Sequence, residues 1–322
     1  MNSCALLSVI IVNYRTPQLV IDCLASLLPE LQGLDARVVV VDNHSLDNSP
    51  EVIREWLEAN DTAHLVLLLE SSLNAGFASG NNLGIKAINA QLYLLLNSDT
   101  LIRQGAISTL INTALINTNA GLVSPRLEWV DGVGQESCFR FHTPISELIG
   151  SAQTGVVDNL LNSYVVPMPV QTQVATPEWT SFACVLIKDE VFREIGLLDE
   201  GYFMYFEDVA FCHRAKNAGW SIVHNPDAHV VHLRGGSSPV KSQAIMKKRV
   251  PKYFYESRAR FFFQAYGWLG LVAANVLWWV GRLISKSRQM LGRPDKAVVD
   301  RQWLDIWSNW LNPSKKYTSP SN

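Results

Sequence analysis

Leu92-Tyr-Leu-Leu-Leu-Asn-Ser-Asp-Thr100 is an apolar run of strand length that stops on Asn97, Ser98 and Asp99. Unbroken apolar character over this length describes a strand covered on both faces, as in the middle of a parallel sheet. Charge is costly inside apolar surroundings, so Asp99 belongs at the strand's end. In open α/β sheets, ligands bind at the carboxyl ends of the strands. Asn97 and Asp99 stand at i and i+2, so in extended backbone both side chains point the same way. Two oxygen donors on one side suit a hard divalent cation, Mg2+ or Mn2+, that keeps waters and substrate phosphates in its shell. A lone Asn-x-Asp is a common tripeptide, and its place after a buried strand is what singles it out.

Upstream the same pattern repeats. Leu7 to Val12, Arg37 to Val41 and Leu65 to Leu69 are further strand-length apolar runs. Between them lie amphipathic stretches at Pro17 to Leu28, Pro50 to Glu58 and Ala75 to Asn89. Thr16-Pro17 and Ser49-Pro50 read as capped helix starts. Strand and helix in alternation predict right-handed crossovers and an α/β fold with a Rossmann-like, mostly parallel central sheet flanked by helices. Residues Leu127 to Glu178 show no periodicity and are expected to be loops. Beyond them the sequence predicts a strand at Phe182 to Ile187, helices at Asp189 to Ile195 and Glu207 to Ala218, and short strands at Ser221 to Val223 and Ala228 to Leu233.

Several other residues invite a chemical reading. Asp42 ends the second strand, where its carboxylate could accept from a pyrimidine N3–H or a ribose hydroxyl, or simply cap a turn together with Asn43. Gly76, Gly80 and Gly84 allow close backbone approach at a helix N-terminus, which favours phosphate; tight helix packing explains the same spacing. Glu207 and Asp208 open a helix behind an aromatic run, where the anion is stabilised while burial opposes it. That suits a base facing a hydroxyl nucleophile; simple N-capping, with Arg214 as a structural ion-pair partner, explains the same pair. His232 ends its strand and precedes Arg234, and is preferred over His229 as a ligand.

In combination these pieces resemble a family-2 glycosyltransferase of the GT-A fold, in the rhamnosyltransferase-like branch that builds O-antigens and other surface polysaccharides. The resemblance runs in order through Val9-Ile-Ile-Val-Asn-Tyr-Arg15, Val40-Val-Asp-Asn-His-Ser-Leu-Asp47, Asn74-Ala-Gly-Phe-Ala-Ser-Gly-Asn-Asn82 and Leu96-Asn-Ser-Asp-Thr100. It continues through Leu198-Asp-Glu-Gly-Tyr-Phe-Met-Tyr-Phe-Glu-Asp-Val209 and His232-Leu-Arg-Gly-Gly-Ser237. It implies that Asp42 binds the nucleotide base, with Asn13 and Asn74 lining that pocket. Asp99 would hold the metal, with Asn97 standing where the family's D-x-D motif has its first Asp, and His232 would be the further ligand. Asp208 would be the general base, supported by Glu207. Arg15, Asn43, Gly76, Asn81 and Ser98 extend the nucleotide-sugar set, and Trp179, Phe182 and Tyr205 are candidate acceptor contacts. The implied reaction is inverting and metal-dependent. It moves a sugar, L-rhamnose from dTDP-L-rhamnose being favoured, to a hydroxyl of a saccharide acceptor carried on a polyprenyl diphosphate. Another donor such as a UDP-hexose, or a non-catalytic nucleotide-binding relative of the fold, is the alternative. A nucleotidyltransferase or a nicotinamide-dependent enzyme on a similar sheet is a further alternative. No G-x-G-x-x-G follows the first strand, which speaks against the latter.

The 322 residues carry 27 basic and 29 acidic side chains, which gives no overall attraction to nucleic acid. The five cysteines form no CxxC pair, and an odd, scattered set does not suggest a secreted disulfide framework. The N-terminus lacks a basic n-region, so a cytoplasmic enzyme is expected. Residues 1–240 are expected to form the catalytic domain and 241–322 a helical, apolar C-terminal region. Phe261 to Gly281 carries no charge and is flanked by arginines, and six of the ten tryptophans follow residue 267. At roughly twenty residues it matches a bilayer span, a helix lying in the headgroup layer, or a hairpin packed on the catalytic domain or on a second subunit of a homo-oligomer. The interfacial reading places the enzyme peripherally on the cytoplasmic face of the inner membrane. Trp303, Leu304, Trp307, Trp310 and Leu311 are expected to share one helix face.

Overall fold

The computed structural model describes residues 4–234, 240, 246–292 and 299–317. Its first four strands are β1 (Ala5–Asn13), β2 (Ala36–Asp42), β3 (Val66–Glu70) and β4 (Ala90–Asn97). They pair in parallel in the order β3-β2-β1-β4. The crossovers are α1 (Pro17–Leu27), α2 (Ser49–Ala59) and α3 (Phe77–Ala87). Alternate residues of β4 serve opposite cores: Leu92, Leu94 and Leu96 on one face, Tyr93 and Leu95 on the other. Burial on both faces is why the run shows no polar alternation.

β5 (Thr100–Ile102), α4 (Ala106–Ile116) and β6 (Ala120–Glu128) follow, and β9 (Cys184–Lys188) inserts antiparallel between β4 and β6. β10 (Ser221–His232) runs parallel to β6, with β5 antiparallel at the far edge. The sheet is therefore mixed and mostly parallel, ordered β3-β2-β1-β4-β9-β6-β10-β5. The two short strands expected at Ser221 to Leu233 are one strand with an irregularity between Asn225 and His229. Pro226 cannot donate to a ladder, so the chain bulges there and pairing resumes beyond it.

The segment expected to be loops is more ordered than its composition suggests. It holds α5 (Pro144–Ala152), α6 (Gly155–Leu160) and a small ribbon of β7 (Cys138–Phe139) with β8 (Trp179–Thr180). The signal for α5 is a capping box: Thr143 Oγ1 accepts from Ser146 N, and Ser146 Oγ accepts from Thr143 N. The expected caps behave differently. Thr16 Oγ1 donates to Asn13 Oδ1, and Ser49 already lies in the first turn of α2.

α7 (Asp189–Ile195) and α8 (Glu207–Asn217) form as expected. The 39-residue α9 (Lys252–Met290) is broken at Gly267, whose φ of 66° and ψ of −169° leave the helical region. One stripe, including Leu271, Ala274, Asn275, Trp278, Gly281 and Ser285, is buried, and α9 packs extensively along α5. Arg258 crosses this contact. Its Nε and Nη2 donate to Glu147 Oε2 at 3.1 and 2.8 Å, and its Nη1 to Asn275 Oδ1 at 2.8 Å. The same helix grips the 198–206 segment, where Arg260 forks onto Asp199 at 2.9 and 3.0 Å and Tyr202 donates to Gln264. The helix expected across Trp303 to Leu311 is reduced to α10 (Gln302–Asp305) followed by turns, so those side chains do not share one face.

His142 is half-buried among Trp179, Phe206 and Phe261. Burial drives its pKa down to about 4, with Glu147 opposing and Arg258 reinforcing the shift. His224 is lowered to about 4 as well, by burial and then by Arg126. Both stay neutral when folded, while in the unfolded chain they take up protons below about pH 6.5. Stability should therefore fall as pH drops from 6.5 towards 4, by up to about 3 kcal/mol for His142, and this contribution levels off below pH 4. The urea midpoint of His142→Phe should depend less on pH across that window than that of the wild type.

Candidate active site

The carboxyl ends of the central strands line up in register. Asn13 on β1 lies beside Asp42 on β2, and Val12 beside Asn97 on β4. Asp42 is buried and saturated on one side: Oδ1 accepts from Asn13 Nδ2 at 2.7 Å and from Ser45 Oγ at 2.5 Å, and Oδ2 accepts from Ser45 N at 3.0 Å. A carboxylate offers about four acceptor positions, so the turn-capping role and one further donor fit together. Asn13 Oδ1 in turn accepts from Thr16 N, and Arg15 Nε donates to Ser45 O. Thr16 Oγ1 lies 3.5 Å from Ser98 Oγ.

Asn43 Nδ2 donates to Asn74 Oδ1 at 3.0 Å and to Gly76 O at 3.1 Å. Gly76 has φ +89°, and a Cβ there would sit 2.0 Å from Phe203 O. Phe77 N donates to that same Phe203 carbonyl at 2.8 Å. Gly76 is thus fixed by the close approach of the 198–206 segment. Gly80 and Gly84 face Val12 and Ile10, at 3.0 and 2.6 Å for a Cβ, so the packing reading of these two prevails. Asn81 turns its amide back onto Phe77 O at 2.9 Å within the helix. Asn82, which closes a matching stretch of the sequence but carries no implied role there, clamps the 198–200 segment by donating to Leu198 O and Glu200 Oε1 and accepting from Leu198 N.

β5 and β10 bring a second set of donors together. The pair His232↔Thr100 and the bond from Leu233 N to Asp99 O at 2.9 Å place His232 beside Asp99. His232 Nε2 lies 3.4 Å from Asp99 Oδ1. Asn97 Oδ1 and His232 Nδ1 are both buried without a hydrogen-bond partner. Buried polar atoms are almost always satisfied, so these orphans fit a site that takes a ligand. Among the described residues no three His, Cys, Asp or Glu side chains gather at one point. The donors brought together are Asp99 and His232, a small set that fits a cation completing its shell with phosphate oxygens and water. Asn97 ends β4 and the chain turns at Ser98 and Asp99, so Asn97 and Asp99 are not aligned by extended backbone as expected. His229 is engaged elsewhere, bonded to Glu128 at 2.8 Å. The Gly235 to Ser237 part of the last matching segment lies outside the described residues.

α8 docks on the same edge. The Cys212 thiol, one turn after Asp208, meets the Thr180 backbone, and a few residues on Ala183 O accepts from Asn97 N at 2.9 Å. Tyr205 and Phe206 precede the helix with φ of 70° and 67°. Left-handed backbone costs a bulky residue roughly 1–2 kcal/mol, and such strain concentrates at functional sites. Arg15, His44 and Arg234, also at φ near 60°, border the same edge. Glu207 is buried with Oε2 unpartnered. Burial, and then the charge of Asp208, hold its carboxyl well above the usual range. Asp208 is half-exposed, with Oδ1 accepting from Val209 N. The expected partner Arg214 instead donates to the carbonyls of Ile195 and Leu197.

The acceptor candidates separate. Phe182 is sealed in the core, edge-on to Phe211. Trp179 is stacked on Phe139 and donates its indole N–H to Arg140 O. Their aromatic faces are spent on packing, so neither is placed to meet a saccharide. Tyr205 is half-buried beside Glu207 and edge-on to Phe254.

Residues 8–137 match the family model described as Glycosyl transferase family 2. The chain is 30% identical over 220 residues to the low-salt glycan biosynthesis hexosyltransferase Agl10 of Haloferax volcanii, covering 67% of this chain and 63% of that protein. It is 25% identical over 217 residues to the N-acetylglucosaminyl-diphospho-decaprenol L-rhamnosyltransferase of Mycobacterium tuberculosis, covering 62% of this chain and 67% of the relative. The chain thus spans somewhat under two thirds of the length of the first of these relatives. In structure it is similar to the mannosyltransferase PcManGT from Pyrobaculum calidifontis, solved in complex with GDP-Man and Mn2+, with a TM-score of 0.56 at 14% identity over 91% of this chain and 77% of that one. The matched region contains Asp42, Asn74 and Asp99, so residues 8–137 form a domain of the glycosyl transferase family 2 type, carried on the GT-A fold.

Proposed function

We propose that the chain is an inverting, metal-dependent transferase. It moves L-rhamnose from dTDP-L-rhamnose to a hydroxyl of a lipid-linked saccharide. The observation that carries this reading is the meeting of His232 with Asp99 where β10 runs along β5; the unpartnered oxygen of Asn97 lies two residues before Asp99 in the chain. A divalent cation bound there would offset the charge of the departing diphosphate. Asp42, oriented by Asn13 and Ser45, keeps acceptor capacity for a pyrimidine N3–H. Asp208, half-buried at the start of α8, takes the acceptor's proton as its oxygen attacks the sugar. Displacement on the face opposite the diphosphate inverts the anomeric centre. Positioning of donor and acceptor supplies much of the rate.

The rhamnosyl donor is favoured by the relative named as an L-rhamnosyltransferase, and a UDP-hexose by the one named as a hexosyltransferase. Thymine and uracil offer Asp42 the same hydrogen-bonding edge. A cytoplasmic position on the inner membrane surface fits α9, whose Trp268, Leu269, Val272, Val276 and Leu283 are exposed on the side away from α5. Exposed apolar ridges of this kind mark contact surfaces, and sedimentation of the full chain with anionic vesicles checks this one.

The test is a donor screen. Release of nucleoside diphosphate is followed across dTDP-, UDP- and GDP-sugars with an N-acetylglucosaminyl-diphospho-lipid as acceptor. Turnover is expected with dTDP-L-rhamnose in Mg2+ or Mn2+, and its loss in EDTA. Full turnover in EDTA would overturn the metal, and transfer from a UDP-hexose alone would replace the donor.

A further inference from the structure

The ladder between β6 and β10 ends at the pair Val231↔Glu128. One step on, His232 has no partner residue on β6, so its carbonyl and that of Glu128 lie at the end of the ladder. A side chain from outside both strands takes them. Gln135 Nε2 donates to His232 O at 2.7 Å and to Glu128 O at 3.1 Å, which uses both of its N–H groups. Its Oε1 accepts from Arg234 Nε. Gln135 is itself fixed, because its backbone N donates to Leu127 O at 2.7 Å and the residue is 4% exposed. One buried amide therefore adds a final rung to the sheet at the residue that meets Asp99.

We propose that Gln135 is a positioning residue for the diphosphate end of the site, holding His232 and Arg234 at fixed places relative to Asp99. This rests on the metal-dependent reading above. His232 is constrained from two directions: its carbonyl by Gln135 and its ring beside Asp99. Arg234 adopts φ +57° and also donates to Glu136 O at 3.3 Å. Without the amide, nothing else among the described bonds holds the His232 carbonyl, and the strand end frays. Groups that orient a metal ligand typically matter 10–100-fold for metal affinity.

The probe is Mn2+ with dTDP, with free Mn2+ followed by electron paramagnetic resonance. Gln135→Leu is expected to weaken Mn2+–dTDP binding about 10–100-fold and to raise the donor KM more than it lowers kcat. Gln135→Glu keeps an acceptor for Arg234 but loses both N–H groups. It should weaken Mn2+ binding comparably, while raising the donor KM less than Gln135→Leu does. It also serves alone if Gln135→Leu does not fold. Wild-type Mn2+–dTDP affinity in a folded variant overturns the proposal and leaves the metal reading standing. No Mn2+–dTDP binding by the wild-type chain overturns both.

Discussion

Asp208→Asn should lower sugar transfer by about 10²–10⁴-fold, the usual contribution of a positioned general base, with little change in donor binding. The substitution keeps an oxygen where Oδ1 accepts from Val209 N, so the first turn of α8 should persist. Glu207→Gln should cost far less. Glu207 is buried without a partner for Oε2, and burial, then the neighbouring charge, raise its pKa well above the usual range. A carboxyl held in its neutral form in this way is a poor proton acceptor, whereas Asp208 lies half-buried at the helix start. The raised pKa has a second consequence. Above the ordinary carboxyl range the unfolded chain releases a proton that the folded chain keeps, so Glu207 lowers stability as pH rises through that window. Glu207→Gln removes this penalty. Initial rates at saturating donor, with thermal melts as a control, check both variants. Turnover by Asp208→Asn equal to the wild type would remove Asp208 as base, and a larger loss in Glu207→Gln would exchange the roles.

The sheet and one side of the site could be read from the chain because both depend on strand ends. Asp42 and Asn97 are polar residues closing apolar runs, and a polar residue at that position has few places to go. His232 follows the same rule. What escaped is whatever acts through the backbone or across long separations. Gln135 reaches the carbonyl of a residue 97 positions away, and no spacing rule connects them. Asn82 clamps Leu198 across 116 positions. Trp179 and Phe182 misled as acceptor contacts because an aromatic side chain reads the same whether it faces a sugar or a core. α5 was missed because its start is a Thr-x-x-Ser box rather than one closed by Glu or Gln. The C-terminal region shows the same difficulty. Its uncharged length satisfies the rule for a membrane segment, but Phe261 and Phe262 lie in the core, Leu271, Ala274, Trp278 and Gly281 are buried, and Trp268, Leu269, Val272 and Val276 are exposed.

That packing makes Arg258 the residue whose loss should cost most in stability. Its guanidinium is 4% exposed and forks onto Glu147 while its third nitrogen donates to Asn275. It also lies over the Phe262 ring, 4.9 Å from the centroid. Removing one member of a buried ion pair strands the other charge, at a cost of about 3–5 kcal/mol. Arg258→Met should therefore lower stability by that amount in urea unfolding, whereas Arg258→Met combined with Glu147→Leu should recover much of it, since an apolar replacement of both partners is often neutral. The effect should reach activity. The first half of α9 supplies Phe254 and Phe261 to the ring of Phe206, the residue that enters α8 in a strained conformation. Loosening that half removes the packing behind Phe206 at the start of α8, so kcat should fall in Arg258→Met even below its melting temperature and return in the double variant. For the same reason a chain cut after residue 240 loses the partners of Phe206, Tyr202 and Asp199, and cannot report on membrane attachment alone. Stability of Arg258→Met within about 1 kcal/mol of the wild type, well short of the buried-pair cost, would show that the Glu147 contact is not what joins α9 to α5.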